Sequence, residues 1–234
     1  MRRKTATYGE RKEVIYTKEK WKILKEKRER AKEVMERLNE FGLKCILYGS
    51  VARGDVNESS DIDIFIPMQI PSYRIELALD EFNILEKRII QATPNHLIKG
   101  EFVLDDNTTV SFPLVKMKDR ELDFYKFGGA ISYEELLMDK RVAGVDKRLV
   151  LIIPTEFGHR EIPLNELQPS EIAKVLGVCI DIVEERIRVL ERRREIGRTG
   201  VFLLEKIPLE SNFETMLKII AERNPFVRKR LLQD

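Results

Sequence analysis

From Thr17 to Phe41 the apolar residues Trp21, Leu24, Ala31, Val34, Met35, Leu38 and Phe41 recur in steps of three, four or seven, with mostly charged residues between them. This spacing predicts one amphipathic helix, capped by Thr17 and stopped at Gly42. The run from Leu43 to Tyr48 is mainly apolar and ends in Gly49-Ser50, so it reads as a buried strand followed by a turn. In Asp61-Ile62-Asp63-Ile64-Phe65-Ile66 isoleucine takes every second position up to Pro67, which predicts a second strand with Ile62, Ile64 and Ile66 on one face. A helical pattern opens at Pro71-Ser72 and runs to about Lys87, with Ile75, Leu79, Phe82 and Leu85 on its apolar side. Strand-like runs follow at Ile89-Ile90, Glu101 to Leu104, Thr109 to Val115 and Glu121 to Phe127, with Asp105-Asp106-Asn107 as a hairpin turn. A short helix is expected near Tyr133 to Met138 and another strand from Arg148 to Ile153.

Beyond Ser170 the pattern turns helical. Ser170 is the expected N-cap of a helix over 171–176, Gly177 makes a turn, and a longer helix from Ile180 to Arg194 ends at Gly197. A β-wing at Gly200 to Leu204 and a tail helix from Asn212, interrupted at Asn224-Pro225, complete the chain. There is no internal repeat or low-complexity linker, and the changes of pattern divide the chain into 1–42, 43–165 and 166–234. The expected fold class is α/β (α+β): a mixed sheet followed by a small helical or winged-helix domain.

Composition changes this picture little, and charge distribution changes it more. The chain has 234 residues, 43% hydrophobic and 35% charged, enough for a sizeable core under a heavily charged surface. No apolar run approaches the ~20 residues of a membrane span. Met1-Arg2-Arg3-Lys4-Thr5 is not followed by an apolar segment, so a cytoplasmic location without membrane association is the expectation. The two cysteines, Cys45 and Cys179, stand far apart in apolar stretches, which argues against a disulfide framework or a cysteine-rich metal site. The overall net charge of +2 conceals an excess of six positive charges in residues 1–40, which points to a polyanion as a secondary expectation for that segment.

The chemistry concentrates in residues 47–66, LYGSVARGDVNESSDIDIFI. Side chains at i and i+2 of a strand share a face, so Asp61 and Asp63 project together while the isoleucines bury. Two carboxylates held that close repel unless a cation lies between them, and their hard oxygens suit Mg²⁺, which combines a few carboxylates with substrate phosphates. The Gly-Ser turn supplies the complementary half. Gly49 lets the backbone approach a phosphate, while the Ser50 hydroxyl and the amides of the following turn donate to its oxygens. Arg53 adds a cation one turn on.

Gly49-Ser50, Ala52-Arg53-Gly54 and Ser60-Asp61-Ile62-Asp63 together resemble the signature of the DNA polymerase beta-like nucleotidyltransferase superfamily, and the whole-chain arrangement is similar to archaeal predicted nucleotidyltransferases with an additional C-terminal region. The resemblance implies transfer of a nucleoside monophosphate from an NTP to an acceptor hydroxyl, with release of pyrophosphate. It implies two Mg²⁺ ions, or Mn²⁺, held by Asp61 and Asp63, with Gly49 and Ser50 on the β- and γ-phosphates. It also implies a third carboxylate on a later strand, for which Asp123 is the first candidate and Glu121 the second. Arg53 would be a secondary phosphate contact or the structural partner of a carboxylate.

The other motifs carry less. Ser170 to Leu190 has the spacing of a helix-turn-helix, but its second helix brings Asp181, Glu184 and Glu185 where phosphates would approach, and 167–200 is nearly neutral. His96 and His159 have no visible ligand partners and read as structural or surface residues rather than catalytic ones. The sequence-level alternative to an enzyme is a nucleic-acid-binding regulator in which 166–234 does the work and the nucleotide site senses a ligand or is inactive. The acceptor stays open, with a nucleic acid approaching along residues 1–40 as the suggested class.

Overall fold

In a computed structural model of the chain, residues 9–197 and 200–233 are described. The chain opens on β1 (Lys12–Ile15), a strand with no counterpart in the periodicity, and α1 (Lys18–Glu40). Thr17 caps α1, its Oγ1 accepting the Lys20 amide at 3.3 Å, and Gly42 leaves the helix at φ 70°. Then come β2 (Ile46–Tyr48), the single-turn α2 (Ser50–Arg53) and β3 (Ile62–Phe65). As the alternation required, Ile62, Ile64 and Ile66 are all at most 1% exposed.

The helix expected from Pro71 to Lys87 stops early. Observed are α3 (Ser72–Ala78) and β4 (Ile84–Gln91), because residues 84–91 are paired on both sides: β4 is antiparallel to β5 (Ile98–Leu104) and to a strand from the far C-terminal region. That pairing satisfies the backbone and outweighs a local helical spacing. The hairpin to β6 (Thr108–Pro113) turns at Asp106 and Asn107, with φ 54° and 57°, as the polar turn predicts.

Glu121 to Phe127 is not a strand but lies in α4 (Asp119–Phe127). Buried Tyr125 and half-buried Leu122 are three apart, a spacing that serves one face of a helix as well as polar/apolar alternation would serve a strand. Next are β7 (Ala130–Ser132), α5 (Tyr133–Leu137), β8 (Gly144–Val145), β9 (Val150–Thr155), β10 (Gly158–Pro163), α6 (Pro169–Leu176) and α7 (Ile180–Ile196). The cap of α6 is Gln168 rather than Ser170: Glu171 accepts the Gln168 amide at 2.8 Å and Pro169 fills the first helical position. The expected wing is instead β11 (Leu203–Ile207), whose partner is β4 and not the helix pair. Finally α8 (Phe213–Arg223) and α9 (Pro225–Leu231) meet at Asn224, which caps the second.

Two sheets result. One is β1-β10-β9-β8; the other is β11-β4-β5-β6-β3-β2-β7. The fold is mixed α/β, but its compact units are interleaved along the chain rather than consecutive: 1–32, 47–62 and 119–199 form one, and 33–46, 63–118 and 200–234 the other. The expected division at 42 and 165 was linear. In the first unit, Phe127, Val145, Leu149, Leu151, Ile162, Leu164, Ile172, Val183 and Leu190 make one apolar cluster, so α6 and α7 pack on the four-stranded sheet and α4 and do not stand apart. In the second, Phe102 and Phe112 stack at 5.8 Å and Phe213 meets both edge-on at 5.0 and 5.1 Å. There the buried Lys87 ammonium donates to Glu76 at 2.5 Å and to the Leu209 carbonyl. No described helix is long and apolar enough to cross a membrane.

Candidate active site

The glycine turn is built from the backbone outward. Gly49 follows β2 at φ 81°, ψ −148°, a conformation that a Cβ excludes. Its N–H donates to the Gly129 carbonyl at 2.9 Å, which fixes the turn against the strand that follows α4. Ser50, Val51 and Ala52 head the single turn of α2, so their N–H groups have no intrahelical acceptor. The helix is four residues long. Its dipole is therefore short, and any phosphate affinity rests on these amides and the Ser50 hydroxyl.

Two residues of α1 hold this region, and periodicity gave no hint of them. Buried Arg28 donates to the Val51 carbonyl at 3.1 Å and to the Lys140 carbonyl at 2.7 Å. Lys27 donates to the Ser60 carbonyl at 2.6 Å, just before the first aspartate. The only sequence signal was their charge, which drew attention to polyanions instead. Other cations of α1 are also engaged within the molecule: Lys32 with Glu29 and Asp139, Arg37 with Glu40, Asp80 and Glu81, and Lys20 over the Tyr16 ring.

Asp61 is exposed at the start of β3 and Asp63 half-buried within it, on the face opposite the three buried isoleucines. Asp61 falls in the same compact unit as the glycine turn. Two exposed or half-exposed carboxylates of this spacing suit a hard cation that shares its shell with water and phosphate oxygens. Among the described residues no group of three or more His, Cys, Asp or Glu is gathered that could hold a metal. The donor set thus fits an ion arriving with phosphates rather than a closed protein cage.

Arg53 is 5% exposed and committed to structure. Its Nε and one terminal nitrogen each donate to a carboxylate oxygen of Asp55 at 2.9 Å, and the other donates to the Gly128 carbonyl at 2.5 Å. Of the two roles open from sequence, the geometry matches the structural one. Asp123 lies on α4, where Oδ2 accepts the Cys179 amide at the head of α7 at 3.1 Å and Lys126 stands 3.7 Å away. Glu121 is on the same helix. Neither occupies the strand position that an implied third carboxylate requires, and β6, the neighbour of β3 opposite β2, carries no acidic residue.

A buried polar chain lies in the same unit as the glycine turn. The Tyr16 hydroxyl meets His159 Nδ1 at 2.7 Å, His159 Nε2 meets Glu161 at 3.2 Å, and Arg148 bridges Glu161 and Asp146. Burial pushes His159 below the usual histidine range, with its hydrogen bond to Glu161 acting against the shift. Burial works to raise Glu161, but hydrogen bonds from Arg148 and His159 outweigh it and hold the carboxyl below its ordinary value. His159 is thus structural, as expected. His96 pairs locally with the Thr93 hydroxyl at 2.5 Å.

Residues 28–128 match the family model of the nucleotidyltransferase domain. Over this segment the chain is similar to nucleotidyltransferase domains. Its match begins at Arg28, the residue that braces α2, and ends at Gly128, the carbonyl that receives Arg53. The glycine turn and both aspartates of β3 fall inside it. Comparison with curated proteins and with solved structures finds no match.

Proposed function

We propose that the chain transfers a nucleoside monophosphate from an NTP to an acceptor hydroxyl, releasing pyrophosphate, in a reaction that depends on Mg²⁺ or Mn²⁺. The observation that carries this reading is that the Gly49-Ser50 turn and the Asp61-Ile62-Asp63 run both lie in the segment similar to nucleotidyltransferase domains, with Asp61 in the same compact unit as the turn. Gly49, having no Cβ, lets the β- and γ-phosphates approach the backbone, and the Ser50 hydroxyl and the amides that head α2 donate to their oxygens. Asp61 and Asp63 would hold the divalent ions. Such ions, when bound, neutralise the triphosphate and the charge that develops at the α-phosphorus. The protein's own work is then largely positioning: the Gly49–Gly129 and Arg28–Val51 hydrogen bonds fix the turn, and Lys27 fixes the backbone entering β3. Arg53 serves by holding Asp55 and Gly128.

The experiment is pyrophosphate release from each NTP with Mg²⁺ or Mn²⁺, offered RNA, DNA, protein and small hydroxyl acceptors. Asp61→Asn and Asp63→Asn should each abolish release and leave thermal stability near that of the wild type. Release unchanged in the double variant would sink the enzyme reading. NTP binding without release under any acceptor would instead assign the domain to nucleotide sensing in a nucleic-acid-binding regulator.

A further inference from the structure

Three consecutive residues of α4 reach three different partners. Asp123 accepts the Cys179 amide of α7, Phe124 lies beneath the Arg186 guanidinium at 4.8 Å from its ring centroid, and Tyr125 stacks edge-on against Tyr48 at 4.8 Å. Tyr48 immediately precedes Gly49. One turn of helix therefore links the phosphate-binding turn to α7, all inside one compact unit.

Arg186 is the anomaly in this cluster. Its Nε is fully buried and has no hydrogen-bond partner. Burial draws the guanidinium down to about 10, repulsion from Arg193, seven residues on along α7, adds to the shift, and the neighbouring Glu185 charge opposes it. Buried charges are ordinarily paired with an anion or a set of acceptors. Arg186 is half-buried as a residue, and its guanidinium lies over the face of the Phe124 ring. Phe124 in turn stays 38% exposed, whereas Tyr125 beside it is 2% exposed. A part-exposed ring beside a desolvated arginine combines the two elements that recognise a nucleotide unit: a cation for phosphate and a flat apolar face for a base.

We propose that Arg186 and Phe124 form a subsite for a nucleoside phosphate, with the guanidinium taking the phosphate and the phenyl ring stacking on the base. The ligand class rests on the nucleotidyl-transfer reading, and two sources share its chemistry: the NTP itself and the strand end of a nucleic acid acceptor. Asp181, Glu184 and Glu185 along the rest of α7 oppose a long run of phosphates of the kind a DNA-reading helix would meet.

The test measures binding by the full chain of each NTP and of a short labelled single-stranded oligonucleotide, in the wild type, Arg186→Met and Phe124→Leu. Arg186→Met should weaken at least one probe about tenfold, the usual worth of a charge-assisted hydrogen bond. Its melting temperature should hold or rise, since Met refills the volume and removes a desolvated charge. A loss confined to the triphosphate identifies the donor nucleotide as occupant; a loss confined to the oligonucleotide identifies the acceptor strand. Unchanged affinity of Arg186→Met for both probes overturns the proposal whatever the melting temperature does, as does a wild type that binds neither. Should Arg186→Met fail to fold, hydrogen exchange of the wild type decides the matter: the probes must slow exchange over residues 184–190, and no protection there overturns it. Binding without pyrophosphate release would defeat the transfer reaction and leave this subsite standing.

Discussion

Arg53→Ala separates a phosphate ligand from a structural brace. In the folded chain its guanidinium spends both edges on Asp55 and the Gly128 carbonyl, and the Arg53 and Asp55 side chains are only 6% and 10% exposed. Removing the arginine leaves a nearly buried carboxylate without its counter-charge, a loss of about 3–5 kcal/mol for a broken buried pair. For a chain of this size, at about 2–4 °C per kcal/mol, the melting temperature should fall by roughly 6–20 °C. Replacing both partners, Arg53→Met with Asp55→Leu, removes the stranded charge and should recover most of that loss. The assay is thermal unfolding of the two single variants and the double, alongside NTP affinity measured at a temperature where all are folded. The brace predicts a large loss for either single variant, recovery in the double, and NTP affinity within about threefold of wild type. A variant that keeps its stability but loses NTP affinity tenfold or more would refute this reasoning and make Arg53 a phosphate contact.

Further outcomes follow from the same geometry. Gly129 has φ 84° and a Cβ there would stand 2.6 Å from Arg53 Cγ, so Gly129→Ala should cost about 1–3 kcal/mol and depress NTP binding through the Gly49 turn, as unfolding and titration would show. Asp123→Ala removes the cap of α7 and should cost about 1 kcal/mol while leaving the metal requirement of pyrophosphate release unchanged; loss of release comparable to Asp61→Asn would restore Asp123 as a catalytic carboxylate. His159 and Glu161 both have folded-state values below their unfolded ones, so each stabilises fully above its unfolded value and less as pH falls. Melting temperature should therefore decline on acidification first below about pH 6.5 and again below about pH 4.5, and His159→Gln should remove the first decline.

What the sequence determined by itself was local. The i, i+2 alternation that buries Ile62, Ile64 and Ile66 necessarily sets Asp61 and Asp63 on the other face, and Gly49, Gly42 and the Asp106-Asn107 turn name backbone conformations that few residues tolerate. The helix over residues 18–40 and the paired helices about Gly177 were legible for the same reason: periodicity and caps act within a few residues. The tertiary structure decided everything that depends on pairing across the chain. Residues 84–91 became a strand because β5 and β11 supply hydrogen-bond partners on both edges, and residues 203–207 joined that sheet and not a wing. Residues 119–127 became a helix whose faces are divided among Tyr48, Arg186 and the head of α7, which moved Asp123 from the expected carboxylate cluster to a cap. Charge was the least readable signal, because a lysine or arginine carries the same formal charge whether it meets solvent, a carbonyl or a carboxylate. Only the fold shows that Arg28, Lys27 and Arg53 brace the glycine turn and its surroundings from within, while Arg186 keeps a buried, unpaired Nε.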